Sequence, residues 1–295
     1  MQGIILKAIS GFYYVKSGDT ITECKARGIF KNDGTTVLPG DIAEFTELPG
    51  NKGCIERILP RKNSLSRPPI ANIDKMFIVS SYSIPNPNYL IIDTLTAICE
   101  HNGIEPVLVF NKSDMGNFDE YVSCYNKVGY KVIVTSAQNG DGIDALKKEI
   151  CGCVSVFTGN SGVGKSSLLN LILPGANLKT GEVSKKLGRG RHTTRHIELF
   201  PCSDGYVADT PGFSDIEANK NDISFKENLP YCFKEFENFL PNCKFTGCSH
   251  TVEKGCAVIN AVSDGEIPKT RLESYKLIYN SLKDIKQWQI DKKRK

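Results

Sequence analysis

The chain has 295 residues, of which 40% are hydrophobic and 24% charged, with a net charge of +4 and 11 cysteines. That is enough for one large globular domain or two to three smaller ones, and no apolar run approaches the roughly 20 residues that span a bilayer. The N-terminal MQGIILKAISG lacks the basic lead and long apolar core of a secretion signal. With an odd cysteine count, this points to the cytoplasm and against a disulfide framework.

Residues 1–60 read as five short strands, at 3–10, 12–16, 20–26, 41–46 and 53–59, separated by Gly11, Asn32-Asp33-Gly34, Pro39-Gly40 and Pro49-Gly50. Five strands in sixty residues predict a small OB-like barrel, a fold that often carries nucleic-acid-binding surfaces. Residues 1–70 hold ten Lys or Arg against seven acids, which permits nucleic-acid contact but equally suits a solvated basic face. The basic stretch 61–73, with Pro68-Pro69, reads as a linker.

From Lys75 the pattern alternates. Strands are expected at 76–80, 106–110, 130–134, 154–157, 197–200 and 206–208, with helices at 89–101, about 121–128, 142–149 and 167–173. Apolar strands alternating with helices predict a doubly wound sheet with a mainly parallel core, which binds ligands beyond the carboxyl ends of its strands. Residues 222–292 read as mostly helical, interrupted by a cysteine-rich stretch at 243–256. A last helix starts near Ile267-Pro268 and runs through Arg271, Tyr275, Ile278 and Leu282 toward Trp288.

Gly159-Asn160-Ser161-Gly162-Val163-Gly164-Lys165-Ser166 lies between a strand and a helix, the setting of a phosphate-binding loop. Its backbone N–H groups and the N-terminus of the following helix, from Ser167, would cradle phosphates. Lys165 would reach the β- and γ-phosphates, and the Ser166 hydroxyl would ligate Mg²⁺.

Asn111-Lys112-Ser113-Asp114 ends the strand 106–110. A carboxylate there accepts from guanine N1–H and N2–H₂, donors that adenine lacks, so Asp114 selects GTP. Lys112 would lie along the base and Asn111 would tie this loop to the phosphate loop. In Thr135-Ser136-Ala137, Ser136 and Ala137 would line the base through backbone groups. Asp209 of Asp209-Thr210-Pro211-Gly212 would hold Mg²⁺ through water, and the Gly212 N–H would sense the γ-phosphate. Between this last motif and the phosphate loop lies Gly188-Arg189-Gly190-Arg191-His192-Thr193-Thr194-Arg195, beside Lys185 and Lys186. One of Thr193 and Thr194 would bind Mg²⁺ with GTP, Thr194 being favoured.

The motif order is rotated: base motifs precede the phosphate loop, as in a circularly permuted GTPase. Phe213 follows Gly212, where Ras-like enzymes carry the Gln that orients the attacking water. Hydrolysis is therefore expected to be slow alone and completed by a partner or another residue. His192 is the nearest candidate for that role, with a solvated loop histidine as the alternative.

Cys243, Cys248, His250 and Cys256 form C-x₄-C-x-H-x₅-C, three thiolates and an imidazole within fourteen residues. This donor set fits a closed, tetrahedral, structural Zn²⁺ site. Chelation is expected to loosen residues 222–292 and leave the nucleotide site mostly intact.

Together GNSGVGKSS, GRGRHTTRH, DTPGF, NKSD and the cysteine–histidine cluster resemble the ribosome small subunit-dependent GTPase A family of bacteria, over nearly the whole chain. The resemblance implies an OB-like barrel at 1–65, a circularly permuted GTPase domain at 66–218 and a helical zinc-binding domain at 219–295. It implies GTP hydrolysis to GDP and phosphate, stimulated by the 30S subunit and coupled to its late maturation. It also implies barrel and zinc-domain contacts with 16S rRNA, one Zn²⁺ per chain, and Mg²⁺ with bound GTP. A cytoplasmic monomer without membrane contact is expected. Two other readings stay open at this point: a GTPase acting on a different RNA or protein, and a nucleotide-gated scaffold of negligible turnover.

Overall fold

The computed structural model describes residues 1–27, 30, 36–82, 86–173, 197–209 and 226–282. The chain forms two compact units, Met1–Met76 with Ile143–Gly212 and Phe77–Gly142 with Phe213–Lys295.

The first unit opens with the expected barrel. β1 (Gln2–Ile9), β2 (Phe12–Ser17), β3 (Thr20–Ala26), β4 (Ile42–Leu48) and β5 (Lys52–Ile58) close in the order β1-β2-β3-β5-β4. Every neighbouring pair is antiparallel except β3 with β5, which is parallel. Alternate residues point inward along each strand, so Ile5, Val15, Cys24, Ala43, Phe45 and Ile55 form one buried cluster, joined by Val37. Cys24 thus packs as a small hydrophobe, and burial pushes its thiol up to about 11.

The stretch 61–73 is not a linker. It folds as a hairpin, β6 (Ser64–Ser66) with β7 (Pro69–Ala71), and buries Leu65, Ile70, Ala71 and Ile73. Its basic and proline content masked an apolar alternation. Gly40 makes the docking possible: it has φ +87°, and a Cβ there would strike the Ala71 carbonyl. Arg61 reaches back to the fully buried Asp41 with Nε–Oδ1 at 2.6 Å and Nη2–Oδ2 at 2.8 Å. Asp74 then takes the start of β11 (Val154–Thr158), exchanging backbone N–H for the Val154 carbonyl and accepting the Val154 N–H on its side chain at 2.8 Å.

β11 pairs in parallel with β13 (Gly205–Asp209), which pairs antiparallel with β12 (Leu199–Cys202). Ser203 and Asp204 both take positive φ in the tight β12–β13 turn. In the same unit α3 (Ile143–Ile150) and α4 (Lys165–Ile172) pack on β13.

The second unit carries β8 (Lys75–Ser81, from Phe77 on), α1 (Tyr89–His101), β9 (Glu105–Asn111), α2 (Asp119–Val128) and β10 (Lys131–Thr135), with strands in the order β10-β9-β8. β9 and β10 are parallel. Asn88 caps α1 by accepting the Leu90 and Ile91 N–H groups. Ile92 through Cys99 are all buried, because α1 meets β9 and also the C-terminal helices. Those follow as short 3₁₀ turns at Leu229–Cys232, Lys234–Phe236 and Leu240–Asn242, then α5 (Ala257–Ser263) and α6 (Lys269–Leu282).

α6 brings Arg271 into the interior, fully buried. Its Nη1 meets Asp93 of α1 at 2.6 Å, and its Nε and Nη2 meet both Glu235 oxygens at 2.5 and 3.1 Å. The Tyr125 hydroxyl donates to the same Asp93 oxygen at 2.8 Å. The guanidinium stacks over Phe233 at 4.4 Å. Burial works against the Arg271 charge, and the two carboxylates more than restore it, holding its pKa well above the usual value. No described helix is long and apolar enough to cross a membrane.

Candidate functional site

In the first unit the chain leaves β11 at Thr158 and turns through the phosphate loop into α4. Gly159, Gly162 and Gly164 have φ of +145°, +84° and +93°, a region where a Cβ is strained. Val163 is buried beneath the loop, whereas Ser161 and Gly162 are exposed. Gly164 is the N-cap of α4 and offers no side chain to it, so capping leaves the first N–H groups of the helix, at Lys165, Ser166 and Ser167, for a ligand.

Lys165 folds into the loop and donates to the Gly159 and Asn160 carbonyls at 2.7 and 3.2 Å. Burial lowers its pKa, and Asp209 at the end of β13 pulls the other way. β11 and β13 set Phe157 opposite Asp209, so the strand register brings the carboxylate to the mouth of the loop. A half-buried ammonium, helix N–H groups and a nearby carboxylate make a donor set that fits a polyphosphate with its magnesium.

In the second unit the two base-recognition segments are bound to each other. Asn111 accepts on Oδ1 from the Ala137 N–H at 3.1 Å and the Thr135 hydroxyl at 3.2 Å. The Ser113 N–H donates to the Thr135 carbonyl at 3.1 Å. Lys112 sits at φ +65°, where the chain reverses. Ser136 acts through its side chain as well as its backbone. Its hydroxyl donates to Asp114 Oδ1 at 2.5 Å and accepts the Asn139 N–H at 3.2 Å. One carboxylate oxygen of Asp114 is thereby fixed by a side chain that the sequence reading assigned only backbone work.

Also in the second unit, the four cysteine and histidine ligand atoms lie within 4.8 Å of one another. The Cys243 Sγ–His250 Nδ1, His250 Nδ1–Cys256 Sγ and Cys243 Sγ–Cys256 Sγ separations are 3.6, 3.3 and 4.0 Å. Tetrahedral zinc, with bonds of about 2.3 Å to sulfur and about 2.0 Å to nitrogen, needs edges of about 3.5 to 3.8 Å, so the cluster fits the ion. Burial pushes the Cys256 thiol up to about 12 and lowers His250, costs that a cation among the ligands reverses for the thiol.

Glu253, overlooked in the sequence, organises this loop. Its carboxylate accepts the Ser249, Thr251 and Val252 N–H groups at 2.9, 3.0 and 3.1 Å, and the Ser249 hydroxyl. Burial alone would raise its pKa. The hydrogen bonds together outweigh it and hold the carboxyl at about 2. Tyr275 of α6 donates to the Ser249 carbonyl at 3.0 Å, and its ring and that of Phe236 edge His250.

His192, Thr193, Thr194, Gly212 and Phe213, with the basic run 185–195, lie outside the described residues, as do Trp288 and the C-terminal tail. Of the ten basic residues in 1–70, Lys7, Arg27, Arg57, Arg61 and Lys62 form ion pairs with Glu198, Glu56, Glu44, Asp41 and Asp74. Half of these cations are thus engaged in ion pairs, two of them with acids outside residues 1–70, and charge alone says little about nucleic acid.

A family model described as RsgA GTPase matches residues 58–219, and one described as RsgA N-terminal domain matches residues 2–55. The chain is 46% identical over 288 residues to a protein named small ribosomal subunit biogenesis GTPase RsgA from Caldanaerobacter subterraneus subsp. tengcongensis, covering 96% of each. It is 41% identical over 292 residues to the protein of that name from Shouchella clausii, covering 97% of this chain and 99% of the relative. The crystal structure of YjeQ from Thermotoga maritima aligns with a TM-score of 0.82 at 34% identity, over 97% of this chain and 99% of that one. That of YloQ, described as a circularly permuted GTPase, gives 0.79 at 35%, over 97% and 96%.

Proposed function

The chain belongs to the RsgA family of circularly permuted GTPases and hydrolyses GTP, and on that premise we propose which residues do the work and for what partner. The reading rests above all on the rotated motif order, with base motifs before the phosphate loop, inside a chain that its relatives match almost end to end.

Asp114, held by Ser136, accepts from guanine N1–H and N2–H₂, with Lys112 along the base, Asn111 holding the segment and Ala137 lining it. Residues 159–164 and the N–H groups of Lys165, Ser166 and Ser167 surround the phosphates, and the Lys165 ammonium meets the β- and γ-oxygens. Ser166 and Thr194, with Thr193 the adjacent alternative, would hold magnesium directly and Asp209 through water; the ion supplies charge neutralisation at the β- and γ-phosphates. The Gly212 N–H senses the γ-phosphate. Phe213 cannot orient water by hydrogen bonding, so turnover depends on another water-positioning group, for which His192 is the candidate, and on a partner that completes the site.

The relatives are named for small ribosomal subunit biogenesis, and the partner proposed here is the 30S subunit with its 16S rRNA. The subunit would stimulate hydrolysis in late maturation, in the cytoplasm, with the protein as a monomer. The proposed division is a barrel at 1–65, the GTPase domain at 66–218 and the zinc domain at 219–295, with one structural Zn²⁺. Co-sedimentation with 30S subunits tests the partner: a non-hydrolysable GTP analogue and GDP should give different occupancies. Equal, background-level sedimentation in both states would remove the subunit from the account.

A further inference from the structure

We propose that Tyr82 is a positioning residue for guanine discrimination, its ring fixing from the Gly116 side the segment that carries Asp114. The proposal rests on the reading of Asp114 as the guanine acceptor.

The segment from Asn111 to Phe118 is anchored at both ends. At its start, Asn111 and Ser113 bind Thr135 and Ala137. At its finish, Phe118 is buried and stacks on Phe110 with centroids 5.2 Å apart. The Asp119 N–H donates to Asn117 Oδ1 at 2.6 Å and begins α2. Between these anchors lie Asp114, Met115 and Gly116; the Met115 N–H closes a local turn on the Lys112 carbonyl at 3.0 Å, and its side chain, 58% exposed, packs on nothing that would hold the turn in place.

Tyr82, at the end of β8, fills that gap. Its ring lies against Gly116 so closely that a Cβ on Gly116 would overlap it. The same ring stands edge-on to Phe118 at 5.9 Å and 84°, and its backbone N–H donates to the Asn111 carbonyl at 3.4 Å. Tyr82 therefore touches the segment at its start, middle and finish, while remaining 43% exposed. Ser136 aims the Asp114 carboxylate, and Tyr82 holds the backbone from which it is aimed. An acceptor of two hydrogen bonds must be placed to a few tenths of an ångström for both to form.

The test compares GDP with IDP. Inosine lacks the 2-amino group, so the affinity ratio reports whether Asp114 makes its second bond, a factor on the order of 10 to 100 for a charge-assisted hydrogen bond. Tyr82→Ala should lower that ratio several-fold, whereas Tyr82→Phe should keep it. Gly116→Ala, which displaces the ring, should reproduce the loss in the native background and add nothing to Tyr82→Ala. If Tyr82→Ala does not fold, Gly116→Ala and Tyr82→Phe carry the comparison. Equal weakening toward both nucleotides with the ratio intact marks a merely structural role and overturns the proposal. A native protein that does not prefer GDP over IDP, or an Asp114→Asn variant with no shift toward xanthine nucleotides, overturns the reading of Asp114 itself, and the proposal with it.

Discussion

Arg271→Met removes the guanidinium that pairs with Asp93 and Glu235, whose side chains are 0% and 7% exposed, and leaves both carboxyls without that counter-charge. The exposure decides the magnitude. An exposed pair such as Lys269–Glu273, at 82% and 60%, contributes little, whereas breaking a buried pair costs about 3–5 kcal/mol because a charge is left in low dielectric. The loss falls on the packing of α6 and the 3₁₀ turn against α1. Hydrogen exchange of the α1 amides reads it locally. A cost of that size, at about 1.4 kcal/mol per tenfold, speeds their exchange roughly 100- to 4,000-fold. Replacing Asp93, Glu235 and Arg271 together by apolar residues of similar volume should cost far less than Arg271→Met alone. Native-like protection of α1 in Arg271→Met would refute the assignment of these charges as the bond between the C-terminal helices and α1.

Chelation of the zinc should accelerate exchange in α6 and α1 together, because Tyr275 ties α6 to the metal loop and Arg271 ties it to α1; a response confined to residues 226–282 would contradict that link. This extends to α1 the loosening expected of residues 222–292. Glu253→Gln should weaken zinc retention about 10- to 100-fold in competition with a coloured chelator, since one amide oxygen replaces a carboxylate that orders the ligand loop; native retention would remove Glu253 from the metal's support. For Lys165, burial lowers the pKa of the free protein, and bound phosphate anions raise it. The bound form therefore holds more protons, and affinity for GTP should be greatest below the lowered pKa and fall above it, at lower pH than an ordinary lysine would dictate. Calorimetry in two buffers of different ionisation enthalpy should show proton uptake on binding, and proton release would reverse the argument.

Local physics made much of this legible in advance. The barrel strands are legible to within a residue or two because their inward positions alternate with polar ones, as Ala43 and Phe45 do around Glu44 in β4. The helix expected at 89–101 has the bounds that the structure gives α1, and the cysteine and histidine ligands are legible by spacing alone. What stayed hidden depends on long-range partners. Nothing near Arg271 announces that its partner is Asp93, 178 residues away. The 61–73 hairpin was obscured because Arg61, Lys62 and Arg67 made it look solvated, while Arg61 in fact neutralises buried Asp41. Gly116 carried a signal, an unexplained glycine two residues past Asp114, but only the approach of Tyr82 gives it meaning.

The central claim is a GTPase whose own site is incomplete and whose hydrolysis is switched on by the small ribosomal subunit. Phosphate release from GTP and from ATP, each with and without purified 30S subunits, tests it most directly. The account predicts slow release from GTP alone, a large rise on adding subunits, and none from ATP in either case. Release from GTP that is already fast alone and indifferent to subunits would contradict it.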